Sequence, residues 1–389
     1  MPPISLFGAT MDIENLLLQL DGIEKSPQPR KINAAEEDLN DIIRLSLPKI
    51  RVIGVGGAGN NFTTALFSST DYWRLVEIIA MNTDASQLAI SKAHKRVLIG
   101  KNTTKGHGAG NDPELGRKAF EESKDKIEDL IQDTDLLIIC AGLGGGTGSG
   151  VAPGIAQLAE KHKILTISFV TIPFKCEGKV RIANALRALG GMIHSSTVTI
   201  VIPNERLIRL ASRRTIQGAF ELANNLLIQL IRSLSDLIEK PGLINVDFAD
   251  VKKILSYKGL ALPGMGESNG TDEKRALAIA EKILNNPLLE VNPALGKGAL
   301  IEIVAGEDLL LSEAYDIVDR FTTIMGDDKE IIFGLRIEPS YNSKIKVSSI
   351  ITGIDIFNDG SYDELISLTD GIMDDPSVFK ELKTIPTLE

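Results

Sequence analysis

Residues 135–150, DLLIICAGLGGGTGSG, restrict what this chain can fold into more than any other stretch. An apolar run bounded by such punctuation reads as a buried strand, here Leu136, Leu137, Ile138 and Ile139. It empties into a loop of six glycines, one threonine and one serine. Glycine lowers the steric wall around the backbone, so several N–H groups can converge on one anion. The apolar-periodic segment from Val151 then supplies a helix N-terminus behind them, which is phosphate-binding architecture. A nucleophile elbow would need glycine two residues either side of Ser149, where Thr147 and Val151 stand. A P-loop would end in Gly-Lys-Ser/Thr, and no lysine occurs in this stretch. That leaves backbone amides, hydroxyls and a divalent cation to hold the anion. A ligand-free flexible linker fits poorly between two well-patterned elements.

The flanking pattern sets the fold class. IRVIGV (50–55), EIIAMN (77–82), KRVLI (95–99), DLLIIC (135–140), ILTISFV (164–170) and TVTIVI (197–202) are β-branched apolar runs. Helical patterns lie between them near 60–68, 113–131, 151–162 and 178–193. This order predicts an α/β fold whose mostly parallel, Rossmann-like sheet is covered on both faces and binds its ligand beyond the carboxyl ends of the strands. The loops there are GVGGAGNN (54–61), NTD (82–84), GHGAGND (106–112), the glycine run and TIPFKCEGKVR (171–181). Three glycine loops at one sheet edge suit a ligand with several phosphates. Gly54, Gly56 and Gly59 also match G-x-G-x-x-G, and Asp84 stands where a dinucleotide's ribose would need an acid. An NAD(P)-dependent oxidoreductase is therefore an alternative, although it leaves the second and third glycine loops without a role.

At 389 residues the chain exceeds one ordinary core. The expected parts are an N-terminal helical extension (1–47), a nucleotide-binding domain (48–215), a central helix (216–240), a smaller α+β domain (241–356) and an acidic tail (357–389). In the extension, 12–20 and 34–47 carry helical patterns. The stretch IQGAFELANNLLIQLIRSLSDLIE is apolar nearly all round and is expected to lie buried between the domains until Pro241-Gly242 stops it. GLINVDFADVKKIL then sets Asn245, Asp247 and Asp250 in a loop entering a helix, with Asp247 at the cap. The smaller domain should pair strands at 259–264, 299–304, 330–337 and 346–354, with helices 272–284 and 311–321 on one side.

Composition excludes several classes. A net charge of −10 opposes a nucleic-acid footprint. No apolar run reaches membrane-span length and the start lacks a basic n-region, so a cytoplasmic protein is expected. Two cysteines make no disulfide framework, and His94, His107, His162 and His194 have no metal-ligand spacing.

In order along residues 49–356 the chain shows IGVGGAGNN, MNTDASQL, GAGNDPELGRKA, AGLGGGTGSGVAP, PFKCEGKVR, VIPNERL and PGLINVDFADVK. These stretches resemble the tubulin/FtsZ family of GTPases, most of all its archaeal branch. The resemblance implies GTP/GDP as ligand, with Mg2+ held through the phosphates, and a cell-division protein that assembles with itself head to tail. It implies that Gly56, Gly57, Ala58, Ala109, Gly110, Asn111, Gly144, Gly145, Gly146, Thr147 and Gly148 surround the phosphates, with Asp84 nearby. Asn61 and Asn224 would read the guanine edge, Phe220 would stack on the ring, and Pro173, Glu177 and Arg181 would serve the ribose side. Asn245, Asp247 and Asp250 would complete the catalytic site of the next subunit. The tail would meet an anchor or regulator at the division site. A nucleotide-binding, filament-forming paralogue that does not hydrolyse is a further alternative, disfavoured by the presence of NVDFAD.

Overall fold

The computed structural model describes residues 47–69, 75–210, 215–270, 272, 274–285 and 291–355. The helices expected in the N-terminal extension and the acidic tail lie outside the described residues. The β-branched runs form β1 (Ile50–Val55), β2 (Val76–Asn82), β3 (Lys95–Leu98), β4 (Leu136–Gly142), β5 (Leu165–Ile172) and β6 (Val198–Pro203), and all neighbouring pairs among them are parallel. Ile53, Val55, Ile79, Leu136 and Ile139 are fully buried, as expected of strands with helices on both faces. Each such side chain contributes roughly 1.5–3 kcal/mol by leaving water.

Four helices follow β1, β2 and β3. They are α1 (Gly56–Ser68), α2 (Ala85–Ile90), α3 (Lys101–Thr104) and α4 (Pro113–Ile131). After β4, β5 and β6 come α5 (Gly146–Lys161), α6 (Lys179–Ser195) and α7 (Asn204–Leu210). Of these, α2, α3 and α7 are absent from the sequence expectation, being too short to show a helical period.

Next comes α8 (Ile216–Glu239), capped by Thr215, whose hydroxyl accepts from the Gly218 N–H at 3.1 Å. Its buried face carries Ala223, Leu227, Leu230, Ile231 and Leu234. It is not enclosed all round, however: Glu221, Asn225, Gln229 and Arg232, spaced four, four and three apart, form an exposed polar stripe. The chain continues through α9 (Phe248–Leu255), β7 (Gly259–Asn269), α10 (Arg275–Leu284), β8 (Gly298–Ala305), α11 (Leu311–Met325), β9 (Glu330–Ile337) and β10 (Lys344–Ile354).

The last four strands extend the same sheet, giving the order β3-β2-β1-β4-β5-β6-β7-β10-β8-β9. The join is narrow, with only Val198–Gly259 and Thr199–Leu260 in register between β6 and β7. Beyond it β10 runs antiparallel to both β7 and β8. Helices were expected on one side of these strands, but both sides are covered. Successive strand residues point to opposite faces. The Ser348 hydroxyl accepts from Ser233 of α8 at 2.8 Å, while Ser349 lies beside Gly264 and Ile283 of α10.

Candidate nucleotide site and acidic loop

Strand order reverses direction between β1 and β4, because β2 and β3 lie on one side of β1 and β5 and β6 on the far side of β4. In parallel sheets such a switch point opens a crevice at the carboxyl ends of the strands. The helices that follow these two strands, α1 and α5, begin there. Both glycine stretches read as loops turn out to be first helical turns: Gly56, Gly57 and Ala58 open α1, and Gly146, Thr147 and Gly148 open α5. Close packing overrides glycine's poor helix propensity. A Cβ on Gly146 would lie 2.7 Å from the Ala109 carbonyl oxygen, and Gly56 holds φ at +72°.

The first amides of a helix have no partner within it. At α2 and α4, side chains supply one: Asp84 Oδ1 accepts from the Ser86 and Gln87 amides at 2.9 and 3.0 Å, and Asp112 Oδ1 from Glu114 at 2.9 Å. At α1 and α5 no side chain does so. Two uncapped helix N-termini, with their partial positive charge, therefore face one crevice.

The crevice widens into a cavity of about 1150 Å³. Lining it are Gly56, Gly57, Ala58, Asn61, Asp84, Ala109, Gly110, Asn111, Gly145, Gly146, Thr147, Gly148, Pro173, Glu177, Arg181, Phe220 and Asn224. The remaining residue expected there, Gly144, does not line it. It holds φ at +99° against Pro173 and Arg181, and its N–H donates to Ser149 Oγ at 2.7 Å, so it shapes the turn from below. The Thr147 hydroxyl is 2.7 Å from that of Thr83, which ties the entry of α5 to the end of β2. Asn60, buried beside Asn61, fixes the first turn. With its amide oriented to match its neighbours it donates to the Gly54 and Met81 carbonyls and accepts from Asn82.

On the opposite wall Glu177 accepts from the Phe174 amide at 2.9 Å and pairs with Arg181 at 2.6 Å. Arg181 Nε is buried with no hydrogen-bond partner among the described residues. Phe220, 40% exposed at the mouth, meets Phe174 edge-on at 6.1 Å. Asn204 is a lining residue that sequence reasoning left unassigned. It is 8% exposed, and its Oδ1 has no partner among the described residues. Its position directly after β6, at a strand carboxyl end like the other site residues, was the available signal.

Asn245, Asp247 and Asp250 do not reach this cavity. Phe220 and Asn224 lie near the start of α8, whereas these three follow its end, which is roughly 23–29 Å further along at 1.5 Å per residue. Asn245 Oδ1 accepts from the Gly242 amide at 2.7 Å and closes the turn out of α8. Asp247 and Asp250 form a reciprocal cap at the start of α9.

An α/β protein with two bare helix N-termini converging at a switch point, and a base-sized aromatic at the cavity mouth, is a nucleotide-binding protein. The match is more specific than that. A Tubulin/FtsZ family GTPase-domain model matches residues 49–212, and an FtsZ family C-terminal domain model matches residues 259–355. Cell division protein FtsZ 1 of Pyrococcus abyssi is 40% identical over 344 residues, covering 88% of this chain and 91% of the relative. Its counterpart in Methanocaldococcus jannaschii is 40% identical over 338 residues, covering 87% and 90%. A solved FtsZ dimer from M. jannaschii superposes with a TM-score of 0.74 at 40% identity, over 83% of this chain and 93% of that one. CetZ2 of Haloferax volcanii, 20% identical with a TM-score of 0.72, shares the fold. The chain belongs to the Tubulin/FtsZ family and carries its GTPase domain.

Proposed function

We propose that this GTPase is a filament-forming protein of cell division, assembling head to tail and hydrolysing GTP where one subunit meets the next. The separation of the two halves of its site along α8 carries the proposal. Of the carboxylates lining the cavity, Asp84 caps α2 and Glu177 is paired with Arg181, and the amides, hydroxyls and amide side chains around them bind but do not readily activate water. The exposed Asp247 and the half-buried Asp250 lie past the other end of the helix. One chain cannot bring both to a single nucleotide, but two chains stacked end to end can. An archaeal relative solved as a dimer supports self-association.

Within that arrangement each residue has a task. The bare amides of α1 and α5 accept phosphate oxygens, with the Thr147 hydroxyl beside them. Phe220 offers a face to the base, and Asn61 and Asn224 offer both donors and acceptors to the guanine edge. The unpartnered Nε of Arg181 and Oδ1 of Asn204 gain partners from the nucleoside. Among the described residues no three His, Cys, Asp or Glu side chains cluster as a metal site. The donor set thus fits a magnesium ion held mainly through the phosphates. Such an ion supplies charge neutralisation at the transferring phosphoryl group. Asp247 and Asp250 of the adjoining subunit polarise the attacking water. In this role the protein works in the cytoplasm at the division site, with residues 357–389 offered to an anchor or regulator.

Phosphate release and light scattering, followed with GTP, ATP or no nucleotide over a range of protein concentrations, test the proposal. The expected result is GTP-specific release that rises steeply with concentration alongside scattering. Release proportional to protein concentration, with no scattering, would overturn it. Asp250→Ala should bind GTP without turnover, and mixing it with Asn61→Ala should restore some. A fully active Asp250→Ala protein would sink the assignment of the acidic loop.

A further inference from the structure

Three consecutive residues of β9 hold the acidic loop from beneath. Gly334 lets the loop lie flat, since a Cβ there would come within 2.6 Å of Leu237 and 3.1 Å of Val246. Leu335 pairs with Ile244 through both backbone hydrogen bonds, Ile244 N–H to Leu335 O at 3.1 Å and Leu335 N–H to Ile244 O at 3.0 Å. Arg336 reaches the last turns of α8, where its Nη2 donates to Asp236 Oδ2 at 3.2 Å. The same nitrogen donates to the buried Glu302 of β8 at 3.3 Å, and Nε lies 3.3 Å from Glu338. Asp236 in turn binds Lys240, the residue at which α8 ends. At the other end of the same strand Glu330 pairs with Lys253 of α9 and accepts from the Tyr257 hydroxyl at 2.8 Å. One strand therefore grips the helix before the loop, the loop itself and the helix after it.

The loop itself meets β9 through the Leu335 backbone pairing and the flat Gly334 beneath Val246, so the direction of approach of Asp247 and Asp250 depends further on how α8 and α9 are pinned. On the α8 side the pin is a charged group that is 12% exposed, set among carboxylates and in contact with no cavity-lining residue. Its Nη2 spans α8 and β8 while Nε faces Glu338, a planar set of donors that a lysine's single nitrogen reproduces only in part. We propose that Arg336, acting through Asp236, is a positioning residue for the acidic loop that fixes Asp247 and Asp250 to polarise the water attacking the neighbouring subunit's nucleotide. The inference rests on the loop's assignment above.

Displacement of a catalytic group by about 1 Å can cost up to roughly a hundredfold in rate. The test uses the full chain as Arg336→Met, Arg336→Lys and Asp236→Asn, measuring GTP affinity, sedimented polymer and turnover per assembled subunit. The expected outcome is a turnover loss of about tenfold or more for Arg336→Met. Arg336→Lys should recover part of it, and GTP affinity and polymer mass should stay within about twofold of the parent. Asp236→Asn should show the same split, and the Arg336→Met/Asp236→Asn double variant should be no slower than the worse single. Because Arg336→Met leaves buried carboxylates unpaired and can fail to fold, the nearly isosteric Asp236→Asn decides the matter in that event. Turnover within about twofold of the parent in the folded variants, or a loss matched by equal losses of affinity or polymer, overturns the inference. Asp250→Ala is run alongside. If it is inactive while the other variants are fully active, only the positioning role falls. If it is itself active, the loop's assignment falls and this inference with it.

Discussion

Asp247 and Asp250 cap one another: Asp247 Oδ1 accepts the Asp250 amide at 2.8 Å, and Asp250 Oδ2 lies 3.4 Å from the amide of Asp247. The carboxylates assigned to chemistry are thus also the start signal of α9, and two substitutions separate the roles. Asn caps a helix about as well as Asp, whereas Ala costs about 1 kcal/mol. Asp247→Asn should keep the parent's melting temperature and Asp247→Ala should lower it, while both lose most GTP turnover. Calorimetry and a phosphate-release assay check this. Full turnover in a stable Asp247→Asn protein would mean the residue is a cap and nothing more.

Two glycines that line the cavity should respond differently to a methyl group. A Cβ on Gly146 would stand 2.7 Å from the Ala109 oxygen and 2.9 Å from the Asp112 amide, so Gly146→Ala must push the 109–112 loop outward and destabilise the fold. On Gly57 a Cβ meets nothing within 4 Å. Gly57→Ala should leave stability unchanged or raise it by up to about 1 kcal/mol, alanine being the better helix former. It should nonetheless weaken GTP binding, since Gly57 lines the cavity in the first turn assigned to phosphate. Equilibrium denaturation paired with nucleotide titration distinguishes the two.

Phe220 is exposed enough to be removed cheaply. Stacking of a base on an aromatic ring is worth about 1–3 kcal/mol by alanine substitution. Phe220→Ala should therefore raise the Kd for GTP by roughly 5- to 150-fold, with little change in denaturation midpoint. Unchanged affinity would remove Phe220 from the base site.

Asp133 gives a pH-dependent expectation away from the site. Arg51 and Lys49 hold its carboxyl down from 3.8 to about 2. A depressed folded-state pKa stabilises above the unfolded value and loses that contribution as pH falls through the folded one. The stability difference between parent and Asp133→Asn should be constant above about pH 5 and shrink between 3.8 and about 2. The carboxylate is half exposed, so the difference should be about 1 kcal/mol or less. Denaturation at a series of pH values measures it.

Much of the site could be read from the chain because strand ends and glycines are local signals. The run 330–337 and the helix 113–131 have the expected bounds, as does 216–239. The expected helix starts near 60 and at 151 were late by four and five residues, because the glycines that suggest loops are helical for reasons of contact with Cys140, Ala109 and Gly116, all distant in sequence. Asn204 escaped notice because one asparagine in a short helix has no period to reveal it. The β6–β7 join was equally hidden, since two residue pairs leave no pattern. The polar stripe on α8 was visible as letters, but which face meets solvent is decided by the strands packed on the other.

The length of α8 acquires a geometric meaning in a head-to-tail array. If the acidic loop of each subunit must touch the nucleotide of the next, the spacing of subunits along the fibre is set by a rod of 24 residues, about 36 Å, plus the loop beyond it. The helix is then a ruler. Its length then enters the periodicity of the polymer directly, and an insertion in α8 would put the two halves of every active centre out of step.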